Sequence, residues 1–107
     1  MQKEVKMSKI FEKYKTIGEV VDLPIHTFKD EVKDMSLGDK STLRFMLSQE
    51  YQRSIIVQTD LTNKMQSTDS DTEFNSFKDI SMSLYAKMQS IEDKNKYLNE
   101  EINKEQS

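Results

Sequence analysis

His26 is the one imidazole in a chain of 107 residues that has no cysteine. Nucleophilic catalysis needs a base beside its nucleophile, and a tetrahedral metal centre needs several imidazole or thiolate ligands, so a lone histidine supports neither. It reads instead as a polar residue in the entry turn of a helix. Asp69, Asp71 and Glu73 imitate the alternating acids that open a calcium loop. That loop needs glycine where Phe74 stands and a bidentate acid where Ile80 stands, so these acids are better placed as the first-turn charges of a helix. Glu92 with Asp93, and Glu100 with Glu101, are adjacent on a helical pattern and point in different directions, which removes them as an acid–base pair. Gly18 and Gly38 stand alone, without the spacing of a phosphate-cradling loop. These residues describe a non-enzyme with no metal and no cofactor.

Binding chemistry is better represented. Phe77, Leu84, Ile91 and Leu98 recur every seventh residue, and Ser81, Met88, Asn95 and Ile102 occupy the interleaved positions. This is a coiled-coil seam, with Asn95 as the kind of polar residue that sets register and strand number at some cost in stability. Leu84, Met88, Ile91, Asn95, Leu98 and Ile102 are therefore the candidate partner-binding residues. Two uses of the seam stay open, packing on the 43–65 helix of the same chain and pairing with another chain. Lys87 and Glu92 flank it where a parallel partner would let them meet. A different chemistry is suggested by Thr27 to Met35, the Leu37-Gly38-Asp39 turn and a helix opening Lys40, Ser41, Thr42 and Arg44, which outline a helix-turn-helix. Asp30, Glu31 and Asp34 would face the same phosphates, which weakens that outline.

Composition narrows the choice. The net charge is −3, and lysine outnumbers arginine 14 to 2, which disfavours broad phosphate-backbone binding and leaves little of the bidentate arginine chemistry that reads bases. Positive charge collects in residues 1–16, which hold five Lys against two Glu. The N-terminus lacks the apolar core of a signal peptide, and no apolar run is long enough to span a bilayer. The chain is expected to be soluble and cytoplasmic, or in the virion if its source is viral.

The elements that would position these residues are helical, because Lys, Glu, Gln, Met and Leu are abundant while only two glycines and one proline interrupt them. Residues 8–17 suit a short helix capped by Ser8 and stopped by Gly18. Residues 19–25, with Val20, Val21, Leu23 and Ile25 around Pro24, suit an extended connector. Thr27 would cap a second helix that Gly38 closes. Asp39 or Ser41 opens a long helix reaching about Gln66 on the spacing of Leu43, Met46, Leu47, Tyr51, Ile55, Leu61 and Met65. Residues 67–72 form a polar loop, and Ser70 with Glu73 makes a capping box for a last helix running toward Asn103. Starting from a facing loop, that helix is expected to overhang the first and offer Asn95, Leu98 and Ile102 to another chain.

The expected protein is all-α, with short N-terminal helices followed by a long antiparallel helical hairpin whose C-terminal helix is a coiled-coil strand. Its parts are an N-terminal helical segment with an extended connector over 1–38 and a hairpin over 39–107. The expected function is structural or assembly work through helix–helix contacts, with a protein partner that is a second copy or a heterologous chain, and no membrane. A small, acidic, lysine-rich chain of this kind suits a virus or phage particle or another macromolecular complex. The alternative is a small DNA-binding regulator that dimerises through its C-terminal helix. An inhibitor that fills another protein's groove would use the same hairpin.

Overall fold

A computed structural model describes residues 10–106. Five helices follow in chain order: α1 Ile10–Lys13, α2 Ile17–Val21, α3 Ile25–Val32, α4 Leu37–Ser67 and α5 Asp71–Gln106. The two long helices form the antiparallel hairpin, and no strand occurs among the described residues. The Ser8 cap expected for the first helix lies outside the described residues.

Side-chain hydroxyls start α2, α4 and α5. Thr16 Oγ1 accepts from the Glu19 amide at 3.2 Å, Ser36 Oγ from the Asp39 amide at 3.1 Å and Ser70 Oγ from the Glu73 amide at 3.2 Å, each satisfying an amide that has no helical partner. The capping box expected at Ser70 is half realised. The Glu73 carboxylate turns instead to the Thr68 hydroxyl at 2.7 Å, and Thr68 Oγ1 in turn accepts from the Ser70 amide.

These caps explain two corrections. Gly18 and Gly38 do not stop helices: each lies two residues after a capping hydroxyl, inside α2 and α4, and neither has a positive φ. The hydroxyl two residues upstream starts a helix at the point where glycine would have ended one. The second correction concerns residues 19–25, which are not an extended connector. Val20 and Val21 belong to α2 and are fully buried, so core burial outweighs their β-branched reluctance to be helical, and only Asp22–Pro24 separate α2 from α3. α3 starts at Ile25, behind Pro24, rather than at Thr27.

α4 begins at Leu37 and spans 31 residues, earlier and longer than the apolar spacing indicates. The expected overhang of α5 is consequently absent. Leu98 and Ile102 are buried against the chain's own helices, and Lys40 in the first turns of α4 pairs with Glu101 and Glu105 near the end of α5. Cross-helix pairs mark the register along the hairpin: Arg44 donates to Asn99, Asn95 to Ser48, Lys87 to Glu50 and Gln58 to Ser81.

The three short helices cover one face of the hairpin near its open end. Ile10, Val20, Val21, Phe28, Val32 and Met35 enter the same core as Leu43, Leu47, Ile91 and Leu98, so the N-terminal segment shares its interior with the hairpin. Phe28 meets Tyr97 edge-on at 6.4 Å, and Lys13 ties α1 to α3 through Glu31 at 2.6 Å.

Gly38→Ala tests the corrected geometry. A Cβ at Gly38 meets nothing nearer than Ser36 Oγ at 3.9 Å, so alanine should stabilise the chain by about 0.5 kcal/mol through helix propensity. A left-handed terminator there would reverse the sign, and thermal denaturation of the two proteins reads the difference.

Candidate interaction surface

The residues singled out for chemistry stay apart. His26 is exposed as the second residue of α3. Asp69, Asp71 and Glu73 surround the hairpin turn as helix-capping and first-turn groups, and the described residues hold no cluster of three or more metal-ligating side chains. Of the residues proposed to face DNA, Lys40 is buried under Glu101 and Glu105, and Arg44 donates to Asn99 Oδ1 at 2.6 Å. Both cations are directed at α5.

The seam residues lie on one face of α5, as their spacing requires. Met88, Ile91, Leu98 and Ile102 are buried and Leu84 is half-buried. Asn95 is half-buried and donates to Ser48 Oγ at 3.1 Å, while its Oδ1 has no hydrogen-bond partner. Ile91 and Leu98 belong to the core shared with the N-terminal helices. Within the chain Lys87 and Glu92 both turn to α4: Lys87 donates to Glu50 at 2.5 Å, and Glu92 accepts from the Tyr51 hydroxyl at 2.7 Å. The apolar part of the seam is thus occupied by the chain's own α4 and N-terminal helices.

One lysine beside the seam has a role the heptad pattern did not reveal. Lys94 is only 2% exposed, and its ammonium donates to the backbone carbonyls of Val21 at 3.0 Å and Leu23 at 2.8 Å and to Ser90 Oγ at 2.7 Å. Ser90 itself donates to the Val21 carbonyl at 2.7 Å. Val21 is the last residue of α2 and Leu23 lies in the turn beyond it, where the helix ladder has ended and carbonyls take donors from elsewhere. Lys94 supplies its three protons there, with the Phe28 ring 5.5 Å away. Removal from water pushes the Lys94 ammonium below its ordinary pKa, partly opposed by Asp93 and Asp22. Nothing local in the sequence pointed to this site, whose donor stands about 70 residues from its acceptors.

The surface left free is divided unevenly. Phe45 is exposed on the back of α4, and Ile25 is exposed in α3. The other exposed large apolar residues all lie between 55 and 85, in the half of the hairpin nearest its turn: Ile55, Ile56, Val57, Phe74, Ile80, Met82 and Tyr85. The interior of that half mixes polar and apolar groups. Ser54, Gln58 and Ser81 are buried between the helices with Leu61, Gln58 Nε2 donates to Ser81 Oγ at 2.7 Å, and Gln58 Oε1 is left without a partner. Polar groups thus share the interior with Leu61 and the half-buried Met65, Phe77 and Leu84, while large apolar side chains stand outside. No helix among the described residues is long and apolar enough to cross a membrane.

Two substitutions test the polar contacts. Lys94→Met keeps the aliphatic bulk but removes the ammonium donor, leaving the Leu23 carbonyl unpaired and the Val21 carbonyl with Ser90 alone, and should cost about 2 kcal/mol. Hydrogen exchange should then show amides of 17–32 losing protection before those in the centre of α4 and α5. Glu50 gives a pH dependence. The Lys87 ammonium bonded to it, with Arg53 as a second donor, holds its carboxyl below the ordinary value despite the opposing effect of burial. The folded state therefore releases this proton more readily than the unfolded chain. Its stabilisation is complete above the ordinary carboxylate range and is lost as pH falls through the lowered value. Urea denaturation of wild type and Glu50→Gln should give midpoints that differ at neutral pH and converge once the solution is acid enough to protonate Glu50 in the folded state.

Comparison with protein-family models, with curated proteins and with solved structures finds no match to this chain.

Proposed function

We propose that this chain is a non-catalytic assembly protein that binds a protein partner through the turn-proximal half of its hairpin. The large apolar residues exposed between 55 and 85 carry the reading. Ile56, Val57, Ile80, Met82 and Tyr85 face water while Ser54, Gln58 and Ser81 lie between the helices. A two-helix arm of this composition gains little from its own interior and much from covering its outside, because burying one large aliphatic side chain is worth about 1.5–3 kcal/mol. The open half supports the same division of labour. There the N-terminal helices already cover the apolar seam, so that half acts as a folded base from which the arm projects.

The partner surface is accordingly the outside of the arm, while Leu84, Met88, Ile91, Asn95, Leu98 and Ile102 serve as the internal spine of α5, running from the arm into the base. A membership in a virus or phage particle, or in another large complex, agrees with the size and charge of the chain. The regulator alternative requires Lys40 and Arg44 to reach phosphates, and their engagement with α5 works against it.

Photocrosslinking in the cell of origin tests this reading. A benzophenone amino acid at position 56 or 80 should give discrete adducts of one defined mass, whereas the same group at exposed positions 30 or 34 beside the open end should give none. Equal, diffuse labelling from all four positions would sink the assembly reading.

A further inference from the structure

The face of the arm that carries Val57 and Ile80 is specified closely enough to name its occupant. Glu50 and Lys87 are paired across the hairpin at 2.5 Å. Seven residues, or two helical turns, beyond Glu50 on α4 is Val57, and seven residues before Lys87 on α5 is Ile80. The antiparallel register therefore sets Val57 beside Ile80 on the same face as the Glu50–Lys87 pair. The α2–α3 turn shares a cavity on this face with Ser83, Lys87 and Ser90. Beyond it Ile56, Val57 and Ile80 are 70%, 48% and 53% exposed.

On α4 this apolar patch is framed by opposite charges. Arg53, Ile56, Val57 and Asp60 lie at i, i+3, i+4 and i+7, a four-cornered patch on one side of the helix with the two apolar residues in the middle. The side chains of Arg53 and Asp60 are largely exposed, and each has only a local partner, Glu50 and Lys64 respectively. Rotating a second copy by 180° about an axis between Ile56 and Val57 lays Ile56 on the Val57 of that copy. It also brings Arg53 to the second copy's Asp60 at one end and Asp60 to its Arg53 at the other. A parallel pairing of the same helices would set Arg53 against Arg53 and Asp60 against Asp60. Charge therefore selects the antiparallel, isologous arrangement, in which each patch is its own complement.

We infer that the occupant is a second copy of this chain, docked through Arg53, Ile56, Val57, Asp60 and Ile80 in an antiparallel two-fold pair that makes a four-helix layer from two hairpin arms. This deepens the assembly reading and rests on it. In this register the two α4 helices overlap over residues 46–67, so each copy's turn lies level with residue 46 of the other. Packing of the i±4 ridges 53–57 and 56–60 of one α4 into the grooves of the other is the commonest mode of helix contact.

The native chain has no cysteine, so single cysteines report the pairing directly. Ile56→Cys, next to the axis, should form a disulfide-linked dimer under mild oxidation. Asn63→Cys should not, because in the antiparallel pair the two copies of residue 63 are about 20 Å apart along α4. Crosslinking at both positions would mean parallel pairing and overturn the proposal. In parallel, sedimentation equilibrium of the full chain should give a dimer. Arg53→Asp should weaken it at least about ten-fold by setting a carboxylate at position 53 against the second copy's Asp60, and Arg53→Asp with Asp60→Arg should restore it. Ile80→Ser is expected to weaken the dimer without loss of helical circular dichroism. A dimer indifferent to all three variants would place the interface elsewhere and overturn the proposal. A purified chain that stays monomeric while positions 56 and 80 still photocrosslink to a different protein in cells would overturn self-pairing and leave the assembly reading standing. A monomer without such crosslinks would remove both.

Discussion

The ammonium of Lys94 is the interaction on which the rest of the fold turns. It sits on an otherwise apolar face of α5, almost without exposure, and its three acceptors come from the end of α2 and from Ser90. A cation removed from water is unfavourable unless its protons are used, and here all three are. The carbonyls gain as well, since the ladder of α2 ends at Val21 and the turn beyond it needs donors from outside. The two unsatisfied ends resolve each other, and in doing so fix where α2 and α3 lie on the hairpin. Phe28, Val20 and Val21 can then close over Leu47, Ile91 and Leu98.

From that point the molecule divides along its long axis. The open half is a five-helix body with an apolar core, locked at its edge by Lys40 between Glu101 and Glu105. The turn half has two helices only, and two helices cannot enclose large side chains on every side. Small and polar groups share the contact line there with Leu61 and Leu84, Ser54 returning its hydroxyl to the Glu50 carbonyl and Gln58 bonding to Ser81. The large apolar residues are displaced outward. This geometric limit, more than any local preference, makes the arm a surface to be covered.

Much of the architecture was legible in the chain. The two long helices followed from spacing by three and four, the turn from the polar run 67–72, and the start of α5 from Ser70 with Glu73. The misread points share one cause. Gly18 and Gly38 look like terminators until Thr16 and Ser36 are seen capping the next helix two residues earlier, and Val20 and Val21 look extended until their burial is known. In each case a local signal of about 1 kcal/mol competed with another local signal or with tertiary burial, and rank order along the chain does not say which is larger. The exposed patch was partly visible too. The run Ile55-Ile56-Val57 is too wide for one helical stripe, and Ile80 falls off the heptad.

By itself, then, the sequence determined the class of the protein, the number and direction of its long helices, and the apolar seam of α5, because these depend on periodicities that any helix must obey. Tertiary structure decided what the seam touches and what remains outside. Whether Leu98 and Ile102 meet another chain or their own depends on where α4 begins and on where α2 and α3 dock. That docking rests on a lysine meeting carbonyls about 70 residues away in sequence, a juxtaposition that exists only once the hairpin has closed.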